Sequence, residues 1–435
     1  MKQSKIILIC IGCVILLLVS WVITINAKSN TTIQVELMTE AAKLMQDGIY
    51  VYAVPLLEEA AALKAKYTWE AEAMLKKAYL ALIDTHGYRR KYIGLLEQQL
   101  TRKDAAADIF IEAASYYLNA QRTGEAFEIF RTGINRTGCG ELIELYESNR
   151  YIYEINRVSY DYAKTIHEGK SQVKKDGYWG MAAATGNLVI PCVYEQISTF
   201  NHDRAIVKKD GEIFAVDKNN NRLALLRVAA SDFGQGFADD RFPLLIEGAW
   251  RRVTGEFVIG TSSFEEIGMY SEGYAASKIG GRWGVIDKET NLLIPLEHEG
   301  IVLDELGRCY GQGAVFIRKD ASVDLYVDGG NTGKTYDDAK PFSNEGYAAV
   351  KRDGKWGFID VNGILRIDFI FDDALSFGGH LAAVKVEDYW GYISLDGQIV
   401  IEPVFLVAKS FSTGSAPVLN ERGWDFITLI EYRGN

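Results

Sequence analysis

Glu345-Gly346-Tyr347-Ala348-Ala349-Val350-Lys351-Arg352-Asp353-Gly354-Lys355-Trp356-Gly357-Phe358-Ile359-Asp360-Val361-Asn362-Gly363-Ile364-Leu365-Arg366-Ile367 decides the reading of the chain. Tyr347 to Lys351 reads as a strand. Asp353-Gly354 is a turn pair whose twist suits a hairpin. Lys355 to Asp360 is a second strand, with Trp356 and Phe358 on one face and Ile359 on the other. Asn362-Gly363 is a further turn signal, and Ile364 to Ile367 a third strand. Phe371-Asp372-Asp373-Ala374 to Phe377 then reads as a linker to the next copy.

Outward from this stretch, an anchor column runs Trp179, Ile213, Trp250, Trp283, Asp324, Trp356, Trp390, Trp424, with a mean spacing of 35 residues. Six of the 8 tryptophans fall in it, so the spacing is a repeat and not chance. Gly follows Trp at Gly180, Gly284, Gly357 and Gly391, and is replaced by Arg251 and Asp425 in two copies. Tyr160-Asp161-Tyr162-Ala163-Lys164 matches Tyr336-Asp337-Asp338-Ala339-Lys340, which places the start of the array near Ile155. The expected domain is 151–435, about eight copies. A unit of 35 residues holds three strands, whereas a four-stranded blade usually takes about 40–45. The expectation is a curved or ring-like, propeller-like succession of three-stranded meanders, with an open solenoid as the alternative and closure of the array left open.

The small-residue strand, Asp-Gly, Trp-Gly, hydrophobic pair, turn, Ile-Pro (Ile190-Pro191, Ile294-Pro295) and Tyr-acid phrase resembles the WG-repeat family of bacterial β-repeat proteins. The resemblance implies a repeat scaffold, often joined to other modules, with no common catalytic chemistry. A Trp at a fixed place in every repeat reads first as packing between neighbours. The competing reading is a row of carbohydrate-stacking rings.

Upstream, residues 37–150 are rich in Ala, Leu and Glu at helical spacing. Pro55 is expected in the first turn of a helix, where its missing N–H costs nothing. Ala41 to Tyr50, followed by Ala53, Leu57 and Ala60, reads as helix, turn, helix. The idea recurs from Ala113 to Ile134 and, less clearly, from Trp69 to Leu100. Ala53, Tyr92 and Ala126 take equivalent places, 39 and 34 residues apart. This all-α segment resembles tetratricopeptide repeats, whose period is about 34.

At the N-terminus, Lys2 and Lys5 precede Ile6 to Ala27, a run without a charged residue. Twenty such residues as a helix span about 30 Å, the thickness of a bilayer core. The run is too long for a signal-peptide apolar region of roughly 7–15 residues. The expected organisation is a cytoplasmic N-terminus at 1–5, a transmembrane anchor at 6–26 and a linker at 27–36. The positive residues put the bulk of the chain outside the membrane.

The charge of −11 argues against general nucleic-acid binding, which needs phosphate neutralisation. Cys139, Cys192 and Cys309 are scattered and read as free thiols. Asp217-Lys218-Asn219-Asn220-Asn221 opens like a calcium loop, but Arg222 and Val228 stand where such a loop needs Gly and Glu, so it reads as a turn. His86, His167, His202, His298 and His380 lack metal-ligand spacing. His202-Asp203 are neighbours on a strand and point to opposite faces. Glu265-Glu266 and Asp372-Asp373 recur with the linker and read as solvated. No nucleophile-elbow, P-loop or H-E-x-x-H motif occurs.

Expected, then, is a membrane-anchored, extracytoplasmic interaction scaffold without catalysis, cofactor or metal. Its partners are unknown proteins, or cell-envelope glycan in the alternative reading, and its signature residues are Trp179, Gly180, Trp250, Trp283, Gly284, Trp356, Gly357, Trp390, Gly391 and Trp424.

Overall fold

The computed structural model describes residues 29–200, 203–225, 230–235, 241–254 and 258–431. It divides into two units, 1–147 and 148–435. The apolar run at 6–26 and His202 lie outside the described residues. Among those described, no helix is long and apolar enough to cross a membrane.

Among the described residues the first unit holds seven helices: α1 (Asn30–Gln46), α2 (Tyr50–Ala62), α3 (Thr68–Ala81), α4 (Tyr88–Leu100), α5 (Ala107–Asn119), α6 (Thr123–Thr137) and α7 (Gly140–Asn149). Helix α1 begins inside the stretch expected as linker. Ser29 caps it, its Oγ accepting from the Thr32 N–H at 3.2 Å, so a polar sequence that looks like linker is a helix start. Pro55 also departs from expectation. It sits inside α2, where the residue lacks the N–H that would bond the Val51 carbonyl.

Ala41, Ala53, Ala60, Ala78, Ala113 and Ala126 are all fully buried, the small contacts that let helices approach closely. Larger side chains fill the remaining space, among them Leu57, Leu96, Phe110 and Phe127. Several polar groups buried with them are paired, although Gln99 Oε1 is not. Tyr79 donates to Glu58 Oε1 at 2.7 Å, Tyr92 donates to Glu112 Oε1 at 3.0 Å, and Gln99 donates to Glu72 Oε2 at 2.8 Å.

The second unit contains eight four-stranded antiparallel sheets among the described residues. Sheets 1 to 7 cover 162–194, 196–225, 230–264, 266–298, 300–336, 338–371 and 373–405. Sheet 8 takes 407–429 and completes itself with Tyr153–Tyr160, which pairs with Gly423–Leu429 (Ile155 opposite Ile427, Tyr160 opposite Trp424). The last sheet is therefore built from both ends of the array. The architecture is an eight-bladed β-propeller.

This corrects the three-stranded expectation and removes the open solenoid. The missing strand is the linker itself. Asp373–Ala374 pairs with Lys385 and Val384, and most of the other sheets begin with an equivalent two-residue strand. Two residues show no alternation, so the pattern carries no strand signal.

The hydrophobic clusters straddle successive sheets. One joins Ala349, Trp356, Phe358 and Phe371 of sheet 6 to Phe377, Ala382 and Val384 of sheet 7. Another joins Trp424 and Phe426 of sheet 8 to Ala163, Ile166 and Val173 of sheet 1. The ring thus closes by side-chain packing as well as by hydrogen bonds. Because both faces of a sheet meet neighbours, Ala348, Ala349 and Val350 are consecutive and all buried. The hairpin turn at Asp353-Gly354 has φ of 52° and 81°, as a primed turn requires.

Candidate binding site at the ring axis

The Trp column occupies one register position. Trp179, Ile213, Trp250, Trp283, Trp356, Trp390 and Trp424 are each the second residue of the third strand of their sheets. In sheet 5 the equivalent residue is Val323, not Asp324. Val323 lies opposite Arg318 and Tyr336, as Trp356 lies opposite Lys351 and Phe371. Matching Asp328 to Asp360 slips the alignment by one residue, because Val327 is the true counterpart of Asp360.

Each tryptophan sits in its own sheet. Trp356, Trp390 and Trp424 are buried, while Trp179, Trp250 and Trp283 are half-buried. Lysines cover the rings: Lys340 Nζ lies 4.9 Å from the Trp356 centroid, Lys409 5.3 Å from Trp424 and Lys164 5.4 Å from Trp179. The glycine after Trp has a steric origin. A Cβ on Gly180, Gly284, Gly357 or Gly391 would come within 2.5–2.7 Å of the carbonyl oxygen of Ile190, Ile294, Ile367 or Ile401 on the next strand. That strand bulges there, with register shifts on either side of the contact.

The residues that come together are others. Glu305 belongs to sheet 5, which stands opposite sheet 1 in a ring of eight. Its Oε1 accepts from the Tyr162 hydroxyl at 2.8 Å and from Lys409 Nζ of sheet 8 at 2.7 Å. Its Oε2 accepts from the Thr165 N–H at 2.9 Å and the Thr165 hydroxyl at 2.8 Å. Side chains from opposite sheets meet only at the axis, so the ends of the two-residue strands face the centre. The segment after the first strand explains the reach. It runs twelve residues in sheet 5, 302–313, against six in sheets 1, 4 and 8.

That segment is held firmly. The Asp304 carboxylate accepts from the N–H groups of Leu306 and Arg308 and from Arg308 Nε, at 2.7–2.9 Å. The Met269 N–H donates to the Gly307 carbonyl at 2.9 Å, and Leu306 and Cys309 are buried. Burial pushes the Cys309 thiol up to about 12.

Electrostatics follow from the enclosure. Burial alone would raise the Glu305 carboxyl. The attraction and hydrogen bond of Lys409, with the bonds from Thr165 and Tyr162, outweigh it and hold Glu305 below its usual value. Lys164 is lowered by burial and by Lys409, against an opposing pull from Glu305. Its ammonium donates to Gln235 Oε1 at 2.9 Å. His167, also near the segment, is pushed down to about 4, first by burial and then by Arg308, with Asp304 opposing. Tyr162 links the axis to the Trp column, its ring lying 6.0 Å from Trp179 and 5.4 Å from Trp424. Beside it opens a concavity lined by Asp161, Tyr162, Lys174, Gly177 and Trp179.

Of the residues read as functional from sequence, then, only Trp179 and Trp424 approach the axial cluster. Glu305, Thr165, Gln235 and Lys409 carried no motif. The sequence signal that marks the site is the long interval between Trp283 and the next anchor, together with the Lys that ends the linker at Lys164, Lys340 and Lys409. The Asp217 segment is a turn: its carboxylate accepts from the N–H groups of Asn219 and Asn221 at 2.9 and 2.8 Å.

Six segments match the family described as WG containing repeat: 159–179, 183–212, 254–283, 334–356, 356–390 and 390–424. Residues 159–424 are a WG-repeat array. The WG-repeat matches lapse across sheet 3 and sheet 5, where Arg251 follows Trp250 and Val323 replaces the tryptophan. No curated protein matches the chain. Solved structures similar to it include AztD of Citrobacter koseri, at 13% identity and TM-score 0.32 over 47% of this chain and 69% of that one. PorZ of Porphyromonas gingivalis, a bacterial surface component of the type-IX secretion system, is similar at 12% identity and TM-score 0.36, over 61% of this chain and 42% of that one. Hsv2p of Kluyveromyces lactis gives 10% identity and TM-score 0.35 over 63% and 95%.

Proposed function

We propose that the chain is a membrane-anchored, extracytoplasmic scaffold for protein–protein interaction, without catalysis. The observation that carries the scaffold reading is the burial of Trp356, Trp390 and Trp424 in clusters shared with the next sheet. Rings used to hold sheets together are not a row of sugar platforms. The anchor rests on the uncharged run Ile6 to Ala27 behind Lys2 and Lys5. Two repeat units offer broad surfaces, as repeat proteins do.

Fractionation tests the anchor. The full chain should stay with membranes through alkaline washing, and a form lacking Lys2–Ala27 should be soluble and folded. Membrane association of the shortened form would exclude the anchor. For the scaffold, crosslinking in intact cells should trap protein partners on the propeller.

A glycan-binding reading keeps one specific observation. Trp179 is half-buried and opens on the concavity with Asp161 and Lys174. Titration with cell-wall glycan fragments should then shift the tryptophan fluorescence, and Trp179→Phe should abolish the shift.

A further inference from the structure

We propose that the axial mouth of the propeller is a binding seat for a carboxylate-bearing ligand, centred on Lys164, with Glu305 occupying the adjoining half of the same seat. The inference goes beyond the scaffold reading and does not depend on the membrane anchor.

The occupied half shows what the seat recognises. Glu305 takes four hydrogen bonds there, from Lys409 Nζ, the Tyr162 hydroxyl and both donors of Thr165. This is a complete carboxylate clamp: charge, hydroxyls and a backbone N–H converge on two oxygens. Its donors come from sheets 1 and 8, and its acceptor from sheet 5 on a segment twice the usual length.

The other half is unbalanced. Lys164 is half-buried, and its hydrogen-bond partner among the described residues is the neutral Gln235 amide. That amide oxygen also accepts weakly from Gln172 Nε2 at 3.4 Å. An ammonium has three donors, and burying it without an anion is costly. Lys409 already spends its charge on Glu305, and Asp304 is engaged by Arg308. Among the described residues, two ammonium groups thus share one carboxylate, in a chain whose net charge is −11. Burial lowers the affinity of Lys164 for its proton, Glu305 opposes that, and the neighbouring Lys409 ammonium adds to it. A second carboxylate beside Lys164 would restore the balance. Its own repulsion from Glu305 would limit its affinity, so Glu305 sets the threshold for binding.

The carboxylate could come from a small acid or from an acidic peptide segment, and the experiment separates them. The full chain is titrated calorimetrically with succinate, with succinamide as the neutral control, and with a blocked tetraglutamate peptide. Succinate should bind and succinamide should not. Lys164→Met should weaken succinate at least about tenfold. Glu305→Gln, which removes the competing charge and keeps the hydrogen-bonding shape, should tighten it at least about tenfold. Lys218→Met, on an exposed turn, should change nothing. If Lys164→Met fails to fold, Lys164→Gln takes its place, and the Glu305→Gln arm stands on its own. A peptide at least tenfold tighter than succinate, with the same dependence on Lys164, assigns the seat to polypeptide carboxylates. Equal affinities assign it to a small acid. Heats no larger than those of succinamide in both the unaltered chain and Glu305→Gln would overturn the proposal, as would equal weakening by Lys218→Met.

Discussion

The Tyr162 hydroxyl donates to Glu305 Oε1 at 2.8 Å, joining the first sheet of the ring to the fifth, directly opposite. The two bonds from Thr165 to Glu305 Oε2 span the same diameter. Together they make the sheet 5 segment a strut across the mouth, and the consequences are measurable.

Glu305→Ala removes the acceptor and leaves Lys409 and Thr165 partly enclosed without it. The side chains of Lys409 and Glu305 are 14% and 24% exposed, so solvent recovers some of the loss. The expected destabilisation is roughly 2–4 kcal/mol, below or within the range for breaking a buried pair. Urea unfolding measures it, and Glu305→Gln should lose less.

Acid should loosen the same region. His167 has its folded value near 4, below an unfolded value of about 6.5. The unfolded chain therefore binds its proton first as pH falls. Stability is full above about 6.5 and is lost progressively toward 4, by at most about 3 kcal/mol. Glu305, held below its ordinary value, adds a loss that begins lower, as pH falls through its folded value. His167→Gln should flatten the dependence of the unfolding midpoint between pH 6.5 and 4. An unchanged slope would place the acid sensitivity elsewhere.

Trp356→Ala should cost roughly 3–5 kcal/mol, because the ring is 4% exposed and bridges sheets 6 and 7. Trp179→Ala, half-buried on its open concavity, should cost clearly less. Equal losses in denaturant unfolding would contradict the difference in packing.

Gly357→Ala places a methyl 2.7 Å from the Ile367 carbonyl oxygen, in backbone that cannot swing aside like a side chain. A cost of about 1–3 kcal/mol is expected, in the range for overpacking. Gly211→Ala, with open space around it but φ of +77°, should cost closer to 1 kcal/mol. Thermal midpoints of the two variants compare strain from contact with strain from backbone conformation.

Much of this fold was readable because of what tryptophan demands. A ring that large needs the same seat in each sheet, so its spacing survives in the sequence where smaller residues drift. Asp353-Gly354 was equally legible, since a primed turn admits few residues. The two-residue strands were not. Asp373 and Ala374 make a strand only through Lys385 and Val384, and no local pattern of two residues announces that. Helix α1 was hidden for a different reason: Asn30, Thr31 and Thr32 are indifferent helix formers, and the cap at Ser29 overrides them. The axial site was the least legible. Glu305 lies 143 residues from Tyr162 in sequence, and nothing local distinguishes it from any solvated glutamate. Only closure of the ring brings the two together.

That closure has a kinetic side. The strand Tyr153–Tyr160 finds its partner at Gly423–Leu429, so sheet 8 cannot form until nearly the whole array has been synthesised. Seven sheets can assemble from local hairpins in the order they emerge. The eighth must bridge about 270 residues, and long-range pairing of this kind is slow and leaves strand edges open meanwhile. Until the clasp shuts, Gly423–Leu429 exposes one unpaired edge and Tyr153–Tyr160 is a lone strand, each able to pair with a second chain. The high contact order of a single strand pair thus makes the last step of folding the one most exposed to domain swapping and aggregation.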